Sequence, residues 1–297
     1  MSNEAELWTV LRLLTWTTDY LKTHGSDSAR LDAEVLLAYA LKCSRVDLYM
    51  RFDQEPTAEE KAAYRGLIQQ RAAGCPVAYL VGKKEFYSLD FIVDKRVLIP
   101  RPETEFLLVG LFDLAKELGG MNAPRTLCDI GTGSGILAIT SAVHMKNCQV
   151  TALDISPEAL EVAALNAKKY QDKIGGRVTL LRSDLLSALK PAEQFDFIVS
   201  NPPYVGQSEL GTELEQNVYR FEPHVALFGG ERGTELIARL LLQIPRFLKP
   251  KGHFLMELSP MIHEDVVAML NAAADLAYLK TLRDLDQHPR IVVAQKK

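Results

Sequence analysis

The sequence predicts an α/β fold that follows a separate helical domain, and three observations support this prediction. From Thr126 onward, short apolar runs typical of buried strands alternate with amphipathic stretches typical of helices. A glycine-rich loop follows the first of these strands, and residues 1–80 contain helical patterns only. The length of 297 residues also exceeds what one domain usually needs, so we expect two domains.

Residues 1–80 are predicted to form a small helical bundle. Apolar residues recur at helical spacing between Leu7 and Leu14 and again from Leu31 onward, after the N-cap cluster Ser26–Ser28. Thr57 caps a third predicted helix that carries Glu59 and Glu60 in its first turn. We interpret this bundle as a domain that recognises a substrate, with a purely structural cap on the neighbouring sheet as the alternative.

Residues 81–105 are predicted to be a β-hairpin linker between the two domains. The apolar runs between residues 83 and 99 are separated by turn-type residues, which is the pattern of a hairpin. The run ends at Pro100-Arg101-Pro102-Glu103-Thr104-Glu105, where Thr104 or the Pro-Glu pair begins the next helix. Arg101 and Glu103 either order a loop over the ligand site or form an ion pair at the helix start.

Residues 106–297 are predicted to form the sheet domain. The first five strands alternate with helices, which favours parallel strands with crossover helices. Ligands of open α/β sheets bind beyond the carboxyl ends of such strands. The predicted strands are Thr126–Ile130, Gln149–Leu153, Arg177–Leu181, Phe195–Val199, His253–Glu257, 278–282 and 291–294.

The loop after the first strand reads Gly131-Thr132-Gly133-Ser134-Gly135. Glycines permit a positive φ and let a ligand approach the backbone closely. The spacing is neither the dinucleotide fingerprint nor a phosphate-binding Walker loop. Because tight turns between strand and helix also use glycine, the loop alone is weak evidence of a site.

Acidic residues follow the first three strands, namely Asp129, Asp154 and Asp184. A carboxylate after the second strand can accept hydrogen bonds from both ribose hydroxyls of a nucleoside. Asp184, which precedes Leu185, could accept from an adenine amino group. Each acid alone could be a helix cap, but their joint placement at strand ends favours a nucleoside site.

Asn201-Pro202-Pro203-Tyr204 follows the fourth strand. Two prolines end the strand and lack the N–H groups that would compete for backbone carbonyls. A carboxamide oxygen and a carbonyl can together accept both hydrogens of an NH₂ group, while an aromatic ring packs on its plane. The loop is therefore predicted to bind an amide or an exocyclic amine.

Composition limits the kind of protein further. The net charge of −4 and the absence of a dense Lys/Arg run argue against general binding to nucleic acid. The four cysteines form no CxxC pair, so no metal is expected. Because no signal peptide or membrane span is apparent, we expect a cytoplasmic protein with reduced thiols.

The ordered set of Asp129, the glycine loop, Asp154, Asp184 and the Asn-Pro-Pro-Tyr loop resembles class I S-adenosylmethionine-dependent methyltransferases that modify a planar nitrogen. More specifically, the chain resembles the peptide chain release factor glutamine N5-methyltransferases. The similarity runs from the hairpin to the C-terminus. It is carried by Glu85-Phe86-Tyr87, residues 98–105, Asp129–Gly135, Phe195–Tyr204, Glu222-Pro223 through Gly229-Gly230, and Asp284-Leu285 through Arg290.

The resemblance implies a Rossmann-like domain with a seven-stranded sheet and an N-terminal domain of five helices. It also implies methyl transfer to the glutamine of the Gly-Gly-Gln loop of class-1 release factors. We expect Asn201, Pro202 and Tyr204 to act in catalysis, and these residues with Pro203 to bind the substrate. The residues expected to contact S-adenosylmethionine are Gly131, Thr132, Gly133, Ser134, Gly135, Asp154, Asp184, Leu185 and Asn201.

One segment departs from the family pattern. After Glu257 the family has a glycine and a glutamine, whereas this chain has Leu258-Ser259-Pro260-Met261-Ile262. Two alternative activities remain at this stage. One is methylation of a glutamine in a ribosomal protein, and the other is methylation of adenine N6 in DNA, which would require base flipping.

Overall fold

A computed structural model describes residues 7–206 and 219–297, and the chain divides into two compact units. The first unit ends at Gly82 and the second begins at Lys83. The hairpin predicted as part of a linker therefore falls within the second unit. The division into three parts that the sequence predicted, with boundaries after residues 80 and 105, remains a proposal.

The first unit is helical throughout its described part. Its helices are α1 (Val10–Thr23), α2 (Ala29–Ala40), α3 (Arg45–Met50), α4 (Ala58–Ala72) and α5 (Val77–Val81). Thr57 and Glu60 form the capping box that starts α4. A buried apolar cluster that includes Leu14, Leu36 and Tyr64 joins these helices. The two short helices α3 and α5 were not predicted individually, since each is too brief to show an apolar period.

The second unit opens with the hairpin of β1 (Lys83–Phe86) and β2 (Leu89–Ile92), which pair antiparallel. Tyr87 and Ser88 form its two-residue turn, and both have a positive φ. The hairpin is fastened to the sheet domain because the Ile92 N–H donates to Asn166 Oδ1 at 2.7 Å. A 3₁₀ turn at Pro102–Thr104 then leads into α6 (Glu105–Glu117).

A seven-stranded sheet forms the body of the second unit. Its strands are β3 (Arg125–Ile130), β4 (Cys148–Asp154), β5 (Val178–Arg182), β6 (Phe195–Ser200), β9 (Leu248–Glu257), β10 (Leu276–Arg283) and β11 (Pro289–Lys296). The spatial order is β10-β11-β9-β6-β3-β4-β5. The five strands from β9 to β5 are parallel, whereas β11 runs antiparallel to both of its neighbours.

Helices cover both faces of this sheet. They are α6, α7 (Ile136–His144), α8 (Pro157–Lys169), α9 (Gln171–Ile174), α10 (Glu235–Phe247) and α11 (His263–Ala272). Successive residues of β3 enter different apolar clusters, Leu127 on one face and Cys128 on the other, as the period of a strand requires. The central strands are therefore buried on both faces, which explains their nearly continuous apolar sequence.

Two short strands, β7 (Val205–Gly206) and β8 (Phe228–Gly230), form a separate parallel pair. β7 lies in the segment after β6, and β8 follows a 3₁₀ turn at His224–Ala226, so their pairing holds these two segments together. Within the described ranges, no helix combines the length and apolar character that crossing a membrane would require.

Candidate active site

A cavity of about 470 Å³ lies at the carboxyl ends of the parallel strands. The loops that follow β3, β4, β5 and β6 all contribute to its wall, as the rule for open α/β sheets predicts. Segments 96–104 and 223–228 and the helix α10 complete the lining. The predicted site residues that line it are Gly131, Thr132, Gly133, Ser134, Asp154, Asp184, Leu185, Asn201, Pro202 and Pro203.

The glycine loop wraps the end of β3. Gly131, Gly133 and Gly135 all have a positive φ, between 55° and 85°, so the loop needs glycine at each of these positions. Gly135, however, does not line the cavity. A Cβ on Gly135 would lie 2.9 Å from Ile139 Cδ1 and 3.4 Å from Ala163 Cβ. Gly135 therefore allows α7 and α8 to approach each other, which is a packing role rather than a place on the cavity wall.

Two carboxyl groups organise this loop. Asp129 Oδ2 accepts hydrogen bonds from the Thr132 hydroxyl at 2.6 Å and the Ala138 N–H at 3.1 Å. Its other oxygen is buried and has no partner among the described residues. Burial raises the Asp129 pKa to about 7. Asp129 does not line the cavity, so the contacts that the structure gives it are those that hold the glycine loop on α7.

Asp154 ends β4 and connects it with the glycine loop. Its carboxylate accepts from the Gly133 N–H at 2.8 Å and the Ser156 N–H at 2.9 Å. Burial raises the Asp154 pKa, although these two N–H donors oppose the shift. Because Asp154 lines the cavity, its carboxylate both orders the loop and faces the space where a ligand would lie.

Asp184 and Leu185 follow β5 on the same wall of the cavity. Leu185 is buried and has a φ of 50°, which turns the chain sharply after Asp184. Arg239 Nη2 on α10 donates to Asp184 Oδ2 at 2.7 Å. This ion pair was not predicted, since no sequence motif indicates that a residue of α10 contacts the segment after β5. It leaves Asp184 Oδ1 to accept a further hydrogen bond.

The loop after β6 presents its carboxamide to the cavity. Asn201 Nδ2 donates to Thr104 Oγ1 at 3.2 Å, which leaves Asn201 Oδ1 as an acceptor. Tyr204 does not line the cavity. Its hydroxyl donates to Glu257 Oε1 at 3.4 Å, and its ring packs against the apolar cluster that covers β9. The Tyr204 ring therefore packs on the sheet and does not form part of the cavity wall.

Two contacts support this loop from outside. A Cβ on Gly229 would lie 2.5 Å from the Pro203 carbonyl oxygen, so the backbone of β8 lies directly against the loop. Glu222 is 4% exposed and accepts from the Ile99 N–H at 3.0 Å and from Arg101 Nη2 at 2.6 Å. Arg101 thus forms an ion pair with Glu222, whereas the ion pair with Glu103 was one of the two alternatives that the sequence left open.

The donor and acceptor groups of the cavity fit an S-adenosylmethionine-sized ligand. The Asp154 and Asp184 carboxylates suit the hydroxyl and amino groups of a nucleoside, and Leu185 and Ile155 supply apolar surface beside them. The positive-φ glycines Gly131 and Gly133 suit an amino-acid end that lies close to the backbone.

Comparisons with known proteins agree with this geometry. The sequence model of the PrmC N-terminal domain matches residues 12–82, and that of the methyltransferase small domain matches residues 111–231. Among solved structures, a methyltransferase from Pyrococcus furiosus superposes with a TM-score of 0.53 at 20% identity, covering 77% of this chain and 98% of that one. The predicted class I methyltransferase fold is confirmed.

Two relatives extend the similarity to nearly the full length. Release factor glutamine methyltransferase from Rhodopirellula baltica is 46% identical over 289 residues, covering 97% of both chains. The enzyme of the same name from Koribacter versatilis is 44% identical and covers 93% of this chain and 95% of its own. With the cavity and loops described above, these similarities show that the chain is an S-adenosylmethionine-dependent enzyme that belongs to the release factor glutamine methyltransferase family.

Proposed function

We propose that this chain transfers a methyl group from S-adenosyl-L-methionine to the side-chain nitrogen N5 of the glutamine in the Gly-Gly-Gln motif of class-1 release factors. S-adenosyl-L-homocysteine is the other product. One observation carries the proposal. Asn201 and Pro202 line the same cavity as the glycine loop and Asp154, and the bond from Asn201 Nδ2 to Thr104 leaves the carboxamide oxygen to accept.

The cofactor would lie against the residues that line the cavity from β3 to β5. The glycine loop would contact its amino-acid end, Asp154 its ribose, and Asp184 with Leu185 its adenine. When bound, S-adenosylmethionine supplies a methyl group on a positively charged sulfur, which is an electrophile. The ion pair between Arg239 and Asp184 would limit the adenine contact of Asp184 to its free oxygen.

The residues after β6 would act on the glutamine amide. An amide nitrogen is a poor nucleophile, since its lone pair is delocalised into the carbonyl group. Asn201 Oδ1 and the Pro202 carbonyl would accept its two N–H bonds and fix its position. The same two oxygens would stabilise the positive charge that the nitrogen gains, and the more acidic methylated nitrogen then loses a proton.

Tyr204 would contribute indirectly to this arrangement. Its hydroxyl bonds to Glu257, and burial and the nearby Glu257 carboxyl raise the Tyr204 pKa, so it stays protonated and a hydrogen-bond donor. We therefore propose that Tyr204 supports the loop after β6. The sequence-based prediction that its ring packs directly on the glutamine amide stays a prediction.

The first unit is the proposed site of release factor recognition, within the proposed domain of residues 1–80. It carries a groove of about 590 Å³. Trp8, Trp16 and Tyr20 line this groove, and the rings of Trp16 and Tyr20 stack at 5.0 Å. Aromatic residues of this kind are enriched at protein interfaces, which supports a docking role. The proposed compartment is the cytoplasm, where translation terminates.

A methyl-transfer assay with labelled S-adenosylmethionine tests this proposal. Purified class-1 release factor, its Gln→Ala variant in the Gly-Gly-Gln loop, a ribosomal protein fraction and duplex DNA would be offered separately. We expect label on the wild-type release factor alone. Label on the Gln→Ala variant would refute the target residue, and label on DNA or ribosomal protein alone would support one of the two alternatives.

A further inference from the structure

Side chains from three different elements hold consecutive residues of the glycine loop. The carboxylates of Asp129 on β3 and Asp154 on β4 accept hydrogen bonds from the two loop residues before Ser134. The third side chain is that of Asn166 on α8, whose Nδ2 donates to the Ser134 carbonyl oxygen at 2.9 Å. The sequence indicated both aspartates but not Asn166.

The Asn166 carboxamide is completely buried, and both of its ends form hydrogen bonds. Its Oδ1 accepts from the Ile92 N–H at 2.7 Å, and its Nδ2 donates to the Ile92 carbonyl at 2.9 Å as well as to Ser134. Because the Ile92 N–H can only donate, the carboxamide has one orientation, in which both hydrogens of its NH₂ group point to carbonyl oxygens. Asn166 thus binds the end of β2 and the glycine loop at the same time.

The Ser134 carbonyl lacks the partner that a regular helix would provide. In such a helix the Ala138 N–H would donate to the carbonyl four residues earlier, which is that of Ser134. Here the Ala138 N–H donates to Asp129 Oδ2 at 3.1 Å instead. Within the described part of the chain, Asn166 is the donor that the Ser134 carbonyl has, and Ser134 is only 3% exposed. Without Asn166 this carbonyl would lose its partner in a buried place, which would disfavour the present course of the loop.

One face of α8 supports the glycine loop and also reaches the cavity. Ala159, Ala163 and Asn166 recur at positions i, i+4 and i+7 of this helix, and all three are buried. Ala159 lines the cavity, and a Cβ on Gly135 would lie 3.4 Å from Ala163 Cβ. Ser134 lines the cavity as well. The bond between Asn166 and Ser134 therefore fixes a part of the cavity wall, although Asn166 itself does not line the cavity.

We propose that Asn166 is a positioning residue that keeps the glycine loop in the shape that binds S-adenosylmethionine, by holding the Ser134 carbonyl. This inference rests on the proposed function, in which the glycine loop contacts the cofactor, and deepens it. Loss of the bond should weaken cofactor binding, because the cofactor would then have to order the loop as it binds. Turnover at saturating cofactor should change little, since the glutamine binds to the loop after β6.

The test compares Asn166→Asp with Tyr170→Phe. Asn166→Asp keeps the size of the side chain and its acceptor oxygen, but it replaces the NH₂ group that donates to Ser134. Tyr170→Phe is the matched control, since it removes one of the two side-chain donors to the Asp90 carbonyl in β2. It therefore loosens the attachment of the same hairpin, but the lost hydroxyl bonds to β2 and not to the glycine loop.

Calorimetry measures the dissociation constant of S-adenosylmethionine for each variant. We expect this constant to rise at least about tenfold in Asn166→Asp, because the Ser134 carbonyl loses its donor. In Tyr170→Phe it should equal that of the wild type. The value of kcat at saturating cofactor should stay near wild type in both variants. A loss of affinity without a loss of turnover would not result from a general loss of stability.

Unchanged cofactor affinity in Asn166→Asp would overturn the proposal, and so would an equal loss in Tyr170→Phe. If Asn166→Asp does not fold, Asn166→Ala, which buries no charge, replaces it with the same expected rise. If neither variant folds, the wild-type protein decides. The NMR resonances of the Asn166 NH₂ group should shift when S-adenosyl-L-homocysteine binds, and unchanged resonances would refute the inference. Failure of the wild-type enzyme to bind the cofactor or to label release factor would instead refute the proposed function.

Discussion

Gly229 provides the most direct test of whether the loop after β6 must be placed precisely. It lies in β8, it is buried, and its φ lies outside the left-handed region, so alanine can adopt its backbone conformation. A Cβ at this position would nevertheless lie 2.5 Å from the Pro203 carbonyl oxygen and 2.6 Å from the Gly233 carbonyl oxygen. Gly229→Ala is therefore a purely steric change directed at the loop.

The size of the effect follows from these distances. Ordinary contacts of a Cβ begin at 3.4 Å, so Pro203 and its neighbours must move by up to about 0.9 Å. A misplacement of about 1 Å in a group that positions the substrate can cost about 100-fold in rate. Overpacking of this kind also destabilises a protein by about 1–3 kcal/mol. We expect a lower kcat of that order in a protein that still folds.

The assay measures kcat on release factor together with the dissociation constant of S-adenosylmethionine. The cofactor constant should stay close to wild type, because Gly229 lies beside the loop after β6 and does not line the cavity. Gly66→Ala is the control, since Gly66 lies in α4 with no atom near its Cβ position. It should stabilise the protein slightly and leave kcat unchanged. Normal kcat in Gly229→Ala would refute the reasoning, as would a parallel loss of cofactor binding.

Three further changes test other parts of the site. Asn201→Ala should lower kcat by about 100- to 1000-fold with cofactor affinity intact, and near-normal turnover would remove Asn201 from the mechanism. Asp154→Ala should weaken cofactor binding at least about tenfold in calorimetry, as expected for a lost hydrogen bond to a charged group. The exposed Asp113→Ala is its control, and equal affinities would contradict the ribose assignment. Glu222→Gln should lower the free energy of unfolding by about 1–2 kcal/mol, because the partly exposed ion pair with Arg101 is lost. Urea unfolding measures this change, and an unchanged free energy would show that the ion pair does not stabilise the fold.

Local patterns were sufficient for much of the fold. The alternation of strands and helices after Thr126 predicted the parallel part of the sheet, and its central strands β3 and β6 are buried on both faces, which is why their sequences are nearly continuously apolar. Thr57, followed by Glu59 and Glu60, predicted the start of α4, because a helix cap depends only on residues a few positions apart. Asp154, Asp184 and Asn201 were predicted to share one site because each follows a parallel strand.

The sequence by itself therefore determined the family, the class of fold and the residues that come to the cavity, since these depend on short motifs and on strand order. Only the tertiary structure decided how those residues are held. Gly135 and Tyr204 face the packed interior, and Arg239 and Thr104 reach Asp184 and Asn201 from distant segments. Such contacts join residues more than 50 positions apart, and their formation depends on how helices and loops pack on the sheet. Local sequence patterns do not specify that packing.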